Sequence, residues 1–188
     1  MSKRVAVLCA TKTSVYKQLD GVDVYDRERD ILTWPGGQPV VAHPPCGQWG
    51  RLRRFAHRDL HDKALAPLCI MLARWYGGVV EHPAFSTLWQ YMGLPKPGHW
   101  DAHGRTIGVS QFWFGHRAEK KTWLYIVGAD VPSLPFAMGD APAVVEHNTN
   151  CRHDRPVIPD WQRAATPLRF AEWLVSIARR SIVPCPSL

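Results

Sequence analysis

An α/β fold with an open, mostly parallel, twisted sheet and helices on both faces is what this sequence predicts, on three observations. Short apolar runs without helical period alternate with amphipathic stretches. Glycines and prolines punctuate them. An acid or a cysteine stands at the end of several of the apolar runs. The 188 residues, 46% of them hydrophobic, suffice for one substantial core, so a single domain spanning 1–188 is expected.

The elements follow in order. Residues 5–9, VAVLC, read as a strand buried on both faces. Residues 13–19 allow one or two helical turns, and residues 22–26, VDVYD, give a second strand ending in Asp26, so the first thirty residues make a βαβ unit. Residues 39–43 form a third strand, stopped by Pro44 and Pro45 with Cys46 at its end. From 60 to 76, Leu65, Leu68, Cys69, Leu72 and Trp75 or Tyr76 recur at helical spacing, and Gly77-Gly78 end the helix. Residues 79–81 give a strand ending in Glu81; residues 122–127 are rich in β-branched and aromatic side chains and give another. Phe170, Trp173, Leu174 and Ile177 mark a closing amphipathic helix. Residues 84–118 and 129–165 read as long irregular walls of a site, the second as an insertion before that helix.

Charge and cysteine usage narrow the function. Lys and Arg outnumber Asp and Glu by 23 to 16, which favours a polyanionic partner such as nucleic acid, a reading set against that of a generally basic soluble protein. Five cysteines, at 9, 46, 69, 151 and 185, show no paired spacing, so a disulfide scaffold is not expected and a reducing cytoplasm is. No apolar stretch approaches the roughly 20 residues that cross a bilayer.

The chemistry-bearing residues lie at strand ends, where open α/β sheets bind ligands. Cys46, after His43-Pro44-Pro45, is rigidly presented, and Arg51, Arg53, Arg54 and Arg58 follow it, so a stabilised thiolate nucleophile is expected. Cys9 and Cys69, inside apolar runs, read as inert thiols. The same arginines, with Trp49 and Phe55 among them, suit phosphates and bases; Trp49, Trp100 and Trp113 are the stacking candidates, whereas Trp75, Trp123 and Trp173 fall at core positions. Glu81, at the dry end of a strand, is expected to have a raised pKa and to donate a proton near neutrality, a reading set against that of an ordinary capping or salt-bridged glutamate.

Pro44-Pro45-Cys46, a helix, Val80-Glu81-His82-Pro83, and a strand ending in Leu124-Tyr125-Ile126-Val127-Gly128 occur in the order of motifs found in DNA cytosine-5 methyltransferases. The chain resembles that family over roughly residues 4–128, with the final helix as its closing helix. The resemblance implies a Rossmann-like methyltransferase fold and attack by Cys46 on C6 of a flipped pyrimidine. Glu81 would engage N3, and Arg117, Lys120, Lys121 and Trp123 would stand where the family has its paired arginines. It also implies S-adenosyl-L-methionine as donor, held by Thr11, Ser14, Asp26, Asp30 and Pro44, with Trp49, Arg51, Arg53, Arg54 and Arg58 closing over DNA. The partner is DNA, or a free pyrimidine nucleotide.

The sequence departs from that pattern in three places. Ala10-Thr11-Lys12-Thr13-Ser14 replaces a Gly-rich turn, His82 replaces an asparagine, and about 60 residues follow Gly128, too few for a large target-recognition domain. Reduced, phage-type members of the superfamily share that brevity. The alternative is a methyltransferase-like fold that has lost its donor and binds nucleic acid or protein. His147, Cys151 and His153, with His116 or Asp154, match no strong zinc spacing and read as a polar loop rather than a metal site.

Overall fold

The structure, a computed structural model, describes residues 3–134, 139–145 and 155–182. In chain order these form β1 (Val5–Leu8), β2 (Val22–Val24), β3 (Val40–Ala42), α1 (Leu60–Tyr76), β4 (Gly78–Pro83), α2 (Thr87–Tyr91), β5 (Gly104–Ser110), β6 (Ala118–Glu119), β7 (Lys121–Val127), β8 (Ala143–Val144), α3 (Asp160–Arg163) and α4 (Leu168–Arg180). Six strands make one sheet in the order β2-β1-β3-β4-β7-β5. The pairings among β1 to β4 are parallel, and β7 runs antiparallel to both β4 and β5. β6 and β8 form a separate parallel pair.

Alternation along each strand loads both faces of the sheet. Ala6, Leu8, Val40, Ala42, Val80 and Tyr125 pack with Ala66, Cys69, Ile70 and Ala73 of α1. Val5, Val7, Val41, Val79, Leu124 and Ile126 pack with Phe170, Leu174 and Ile177 of α4 on the other side. A strand covered on both faces must be apolar at every position, which is why these runs carry no period of two.

Local signals fix the ends of α1. Asp59 caps it, its carboxylate accepting the amides of His61 and Asp62 at 2.9 and 3.2 Å. Gly77 ends it at φ 77°. Gly78, at φ 122°, begins β4 so close to β3 that a Cβ would stand 1.9 Å from the Val40 carbonyl oxygen, so no other residue lets that ladder close.

Three expectations are corrected. Residues 84–118 are not one irregular wall, because α2 and the seven-residue β5 lie within them. Residues 13–19 hold a single 3₁₀ turn, Val15–Gln18. Trp75 is exposed: two positions past Ala73, it falls on the side of α1 away from the sheet. No helix among the described residues is long and apolar enough to cross a membrane.

Candidate functional site

The carboxyl ends of β1 to β4 and the amino end of β7 meet at one edge of the sheet, and there a cavity of about 1030 Å³ opens. The antiparallel direction of β7 is what brings its first residues to the same edge as the ends of the parallel strands. Thr11, Ser14, Asp26, Asp30, Pro44, Cys46, Glu81 and Lys121 all border the cavity, as do Arg51, Lys120 and Phe85.

Cys46 is the first residue of a tight turn, its carbonyl accepting the amides of Trp49 and Gly50 at 3.1 and 2.7 Å. The turn is clamped through Trp49. Pro67, inside α1, has no N–H to give the Lys63 carbonyl four residues back. The Trp49 indole takes that place, donating to the Lys63 oxygen at 3.1 Å. The Trp49 carbonyl in turn accepts the Thr87 amide at 2.9 Å and the Thr87 and Ser86 hydroxyls at 3.0 and 3.2 Å. Trp49 is therefore a buried clamp between α1 and α2, not a base-stacking surface.

The Cys46 side chain is open to the cavity. Its surroundings still push the thiol pKa up, first by burial and then through the Glu81 charge, while Lys120 pulls it down. The expected stabilised thiolate is overturned. Arg53, Arg54 and Arg58 are exposed on residues 51–58, and the cation acting on the sulfur comes from the start of β7 instead.

Glu81 follows the second of its two readings, that of a salt-bridged glutamate. Burial pushes its pKa up, but His43, Lys120 and His82 more than offset this, and the carboxyl is held down at about 2. His43 Nδ1 donates to Glu81 Oε2 at 3.0 Å, and Gln111 Nε2 donates to Oε1 at 3.1 Å. Because a carboxylate only accepts, Nδ1 carries a proton; in the neutral ring Nε2 then accepts from the Tyr16 hydroxyl at 2.8 Å. Burial, then the Glu81 charge, keep Tyr16 protonated. The resting site thus pairs a protonated thiol with an ionised carboxylate anchored in a Tyr16–His43–Glu81–Gln111 chain.

The other expected residues divide. Asp26 Oδ1 accepts the amides of Glu28 and Arg29 at 2.9 and 3.1 Å, and Oδ2 accepts from Lys17 at 2.7 Å. Those bonds, Lys17's first, hold its pKa at about 2 and leave little acceptor capacity for a ribose. Asp30 caps the 3₁₀ turn Ile31–Thr33 through the Leu32 amide at 2.8 Å. Lys121 pairs with Glu119 at 3.2 Å, and Arg117 is exposed and does not border the cavity. Trp113 is half-buried against the α4-side core, and Trp100 is exposed under the Arg105 guanidinium, 4.6 Å away, away from the cavity. His147, Cys151, His153 and Asp154 lie outside the described residues. His116 gives Nε2–H to the Gln162 carbonyl at 3.2 Å and accepts the Ala118 amide at Nδ1, so its ring is committed to the backbone.

Sequence reading missed His43, Tyr16 and Gln111 as parts of this centre and named Lys120 only among the stand-ins for the family's paired arginines. His43 carried a signal, being the residue before Pro44-Pro45-Cys46 at the end of an apolar run. Tyr16, Gln111 and Lys120 come from other elements, and only the sheet order brings them near. Cys9 and Phe85 are the other surprise. Among the described residues they are the non-glycine positions with positive φ, 58° and 64°, and both border the cavity. Cys9 makes the tight turn after β1 that a glycine would make elsewhere, and its sulfur lies 3.8 Å from that of Cys69. No protein-family model matches the chain, and no curated protein matches it.

Proposed function

We propose that this chain modifies C5 of a pyrimidine, in DNA or as a nucleotide, in the manner of a DNA cytosine-5 methyltransferase-like enzyme with a Rossmann-like fold. The observation that carries the reading is the convergence of Cys46 with the anchored Glu81–His43 pair on one cavity at the carboxyl ends of parallel strands. In the reaction the Cys46 sulfur bonds to C6 of the ring. The thiol proton passes through Glu81 to N3, which makes C5 nucleophilic. After C5 is substituted and loses its proton to solvent, N3 returns its proton to the site and the C6–S bond breaks. His43 steadies Glu81 while its charge changes, and Lys120 offsets the negative charge that appears on sulfur. Arg51, Arg53, Arg54 and Arg58 are the phosphate contacts.

S-adenosyl-L-methionine fits the cavity in size, in the Cys9 turn that brings the backbone round without a glycine, and in apolar cover from Ile31 and Leu65. Thr11, Ser14, Asp30 and the Pro44 edge would hold it, with Asp26 supporting the loop rather than gripping the ribose. When bound, it supplies the one-carbon group.

A duplex carrying 5-fluorocytosine or 5-fluorouracil tests the chemistry, because fluorine at C5 cannot leave as a proton does. A covalent adduct lost in Cys46→Ser and slowed in Glu81→Gln is expected. No adduct from the wild type with either base, with or without the donor, would remove the nucleophile assignment. A second reading, a nucleic-acid or protein-binding module without donor, is favoured by the engaged Asp26. Calorimetry showing no heat on titration with S-adenosyl-L-methionine, beside retained DNA binding, would select it.

A further inference from the structure

Phe85 is held in a conformation that a bulky L-residue avoids. Its φ is 64°, in the left-handed region, and its neighbours fix it there: the Ala84 amide donates to the Lys121 carbonyl at 3.0 Å, and the Ser86 amide to the Pro83 carbonyl at 3.3 Å. Ser86 is also tied to the Trp49 carbonyl and caps α2. Glycine would occupy such a position without strain. What the phenylalanine gains is not burial, for the residue is 63% exposed. Its ring leans on Trp123, centroids 5.1 Å apart and planes at 55°, and Trp123 rests edge-on against Trp89 at 5.6 Å. The residue thus borders the cavity that holds Cys46 and Glu81, only four positions beyond Glu81, with aromatic backing behind its ring.

Strain kept at a residue that packs on one side only and opens on a cavity on the other points to what its side chain presents to a ligand. We propose that Phe85 is the stacking wall of the cavity, the surface against which a planar pyrimidine ring is held face-on while Cys46 approaches its edge. The inference rests on the pyrimidine reading above and names the residue that orients the ring. Stacking on an aromatic face suits any flat base and contributes to binding before any bond forms. It therefore acts whether or not sulfur has reacted.

The test uses dCMP and dUMP as probes, titrated against the full chain and followed by tryptophan fluorescence, since Trp123 lies directly behind Phe85. Phe85→Leu is expected to weaken binding about tenfold or more, and Phe85→Trp to retain it. Phe85→Gly is expected to weaken binding equally while its unfolding midpoint holds or rises, a combination that a merely structural role does not produce. Equal dissociation constants for the wild type and Phe85→Leu would overturn the stacking role alone. If neither nucleotide binds the wild type at about 10 mM, the stacking role falls together with the reading of the cavity as a pyrimidine site.

Discussion

His82 fills the position after Glu81 with its ring wholly buried and neither nitrogen in a hydrogen bond of good geometry. Burial drives its pKa down to about 4, against smaller upward pulls from Glu81 and the Pro45 carbonyl. The fold therefore accepts only the neutral ring, whereas the unfolded chain takes a proton near the ordinary value of 6.5. Stability is full above that value and falls as the pH drops towards 4. The loss between pH 7 and pH 5 is about 2 kcal/mol. Glu81, with a depressed pKa, adds stability that is lost only as the pH falls below 4.5 towards 2, so it stays outside this window. Urea unfolding of the wild type and of His82→Leu at pH 7 and pH 5 should show a steeper slope in the first than in the second, which keeps the smaller contribution of His116, also held below its ordinary pKa by burial. At this scale the sequence singled out Cys46 and Glu81, which do border one cavity, but misplaced the cation beside the sulfur. Arg51 to Arg58 are near Cys46 along the chain, yet Lys120 is the cation that acts on it in space.

Trp49 shows what an element gains from a residue that breaks it. A proline inside a helix costs about 3 kcal/mol and frees one carbonyl; here the freed Lys63 oxygen becomes the socket for the Trp49 indole. Trp49→Phe leaves that oxygen unpaired and is expected to cost about 1 to 3 kcal/mol. In a Pro67→Ala background the new amide can satisfy Lys63 itself, so the same change should cost less; a double-mutant cycle in urea measures the difference. Equal costs in both backgrounds would separate the two residues. The strand–helix order of the first eighty residues was legible because apolar runs end at glycines and prolines. β5 was not. Gly104 and Gly108 interrupt its pattern, and Gly104 is required because a Cβ there would stand 2.2 Å from the Ile126 oxygen of β7, a constraint set by a strand seventeen residues further on.

At the scale of the molecule, the layers and the edge where the cavity opens were legible in the sequence, but not the sheet order, which depends on pairing between distant segments. That order places Cys46 just beyond β3 and Glu81 on β4, and these two strands meet through Val40↔Gly78, Val41↔Val79 and Ala42↔Val80. Residues 51–58 between them carry four arginines, and all but Ala56 are exposed. Covalent continuity through this stretch is expected to be dispensable. A single tryptic cut there should leave Cys46 and Glu81 on two different polypeptides that still travel as one particle on a sizing column, and the halves 1–53 and 54–188, produced separately, should reassemble on mixing. Separation of the cut halves without denaturant would show that the connection matters after all. If they stay together, the reactive centre is a seam between two peptides, joined by the sheet and the Trp49 clamp rather than by the chain.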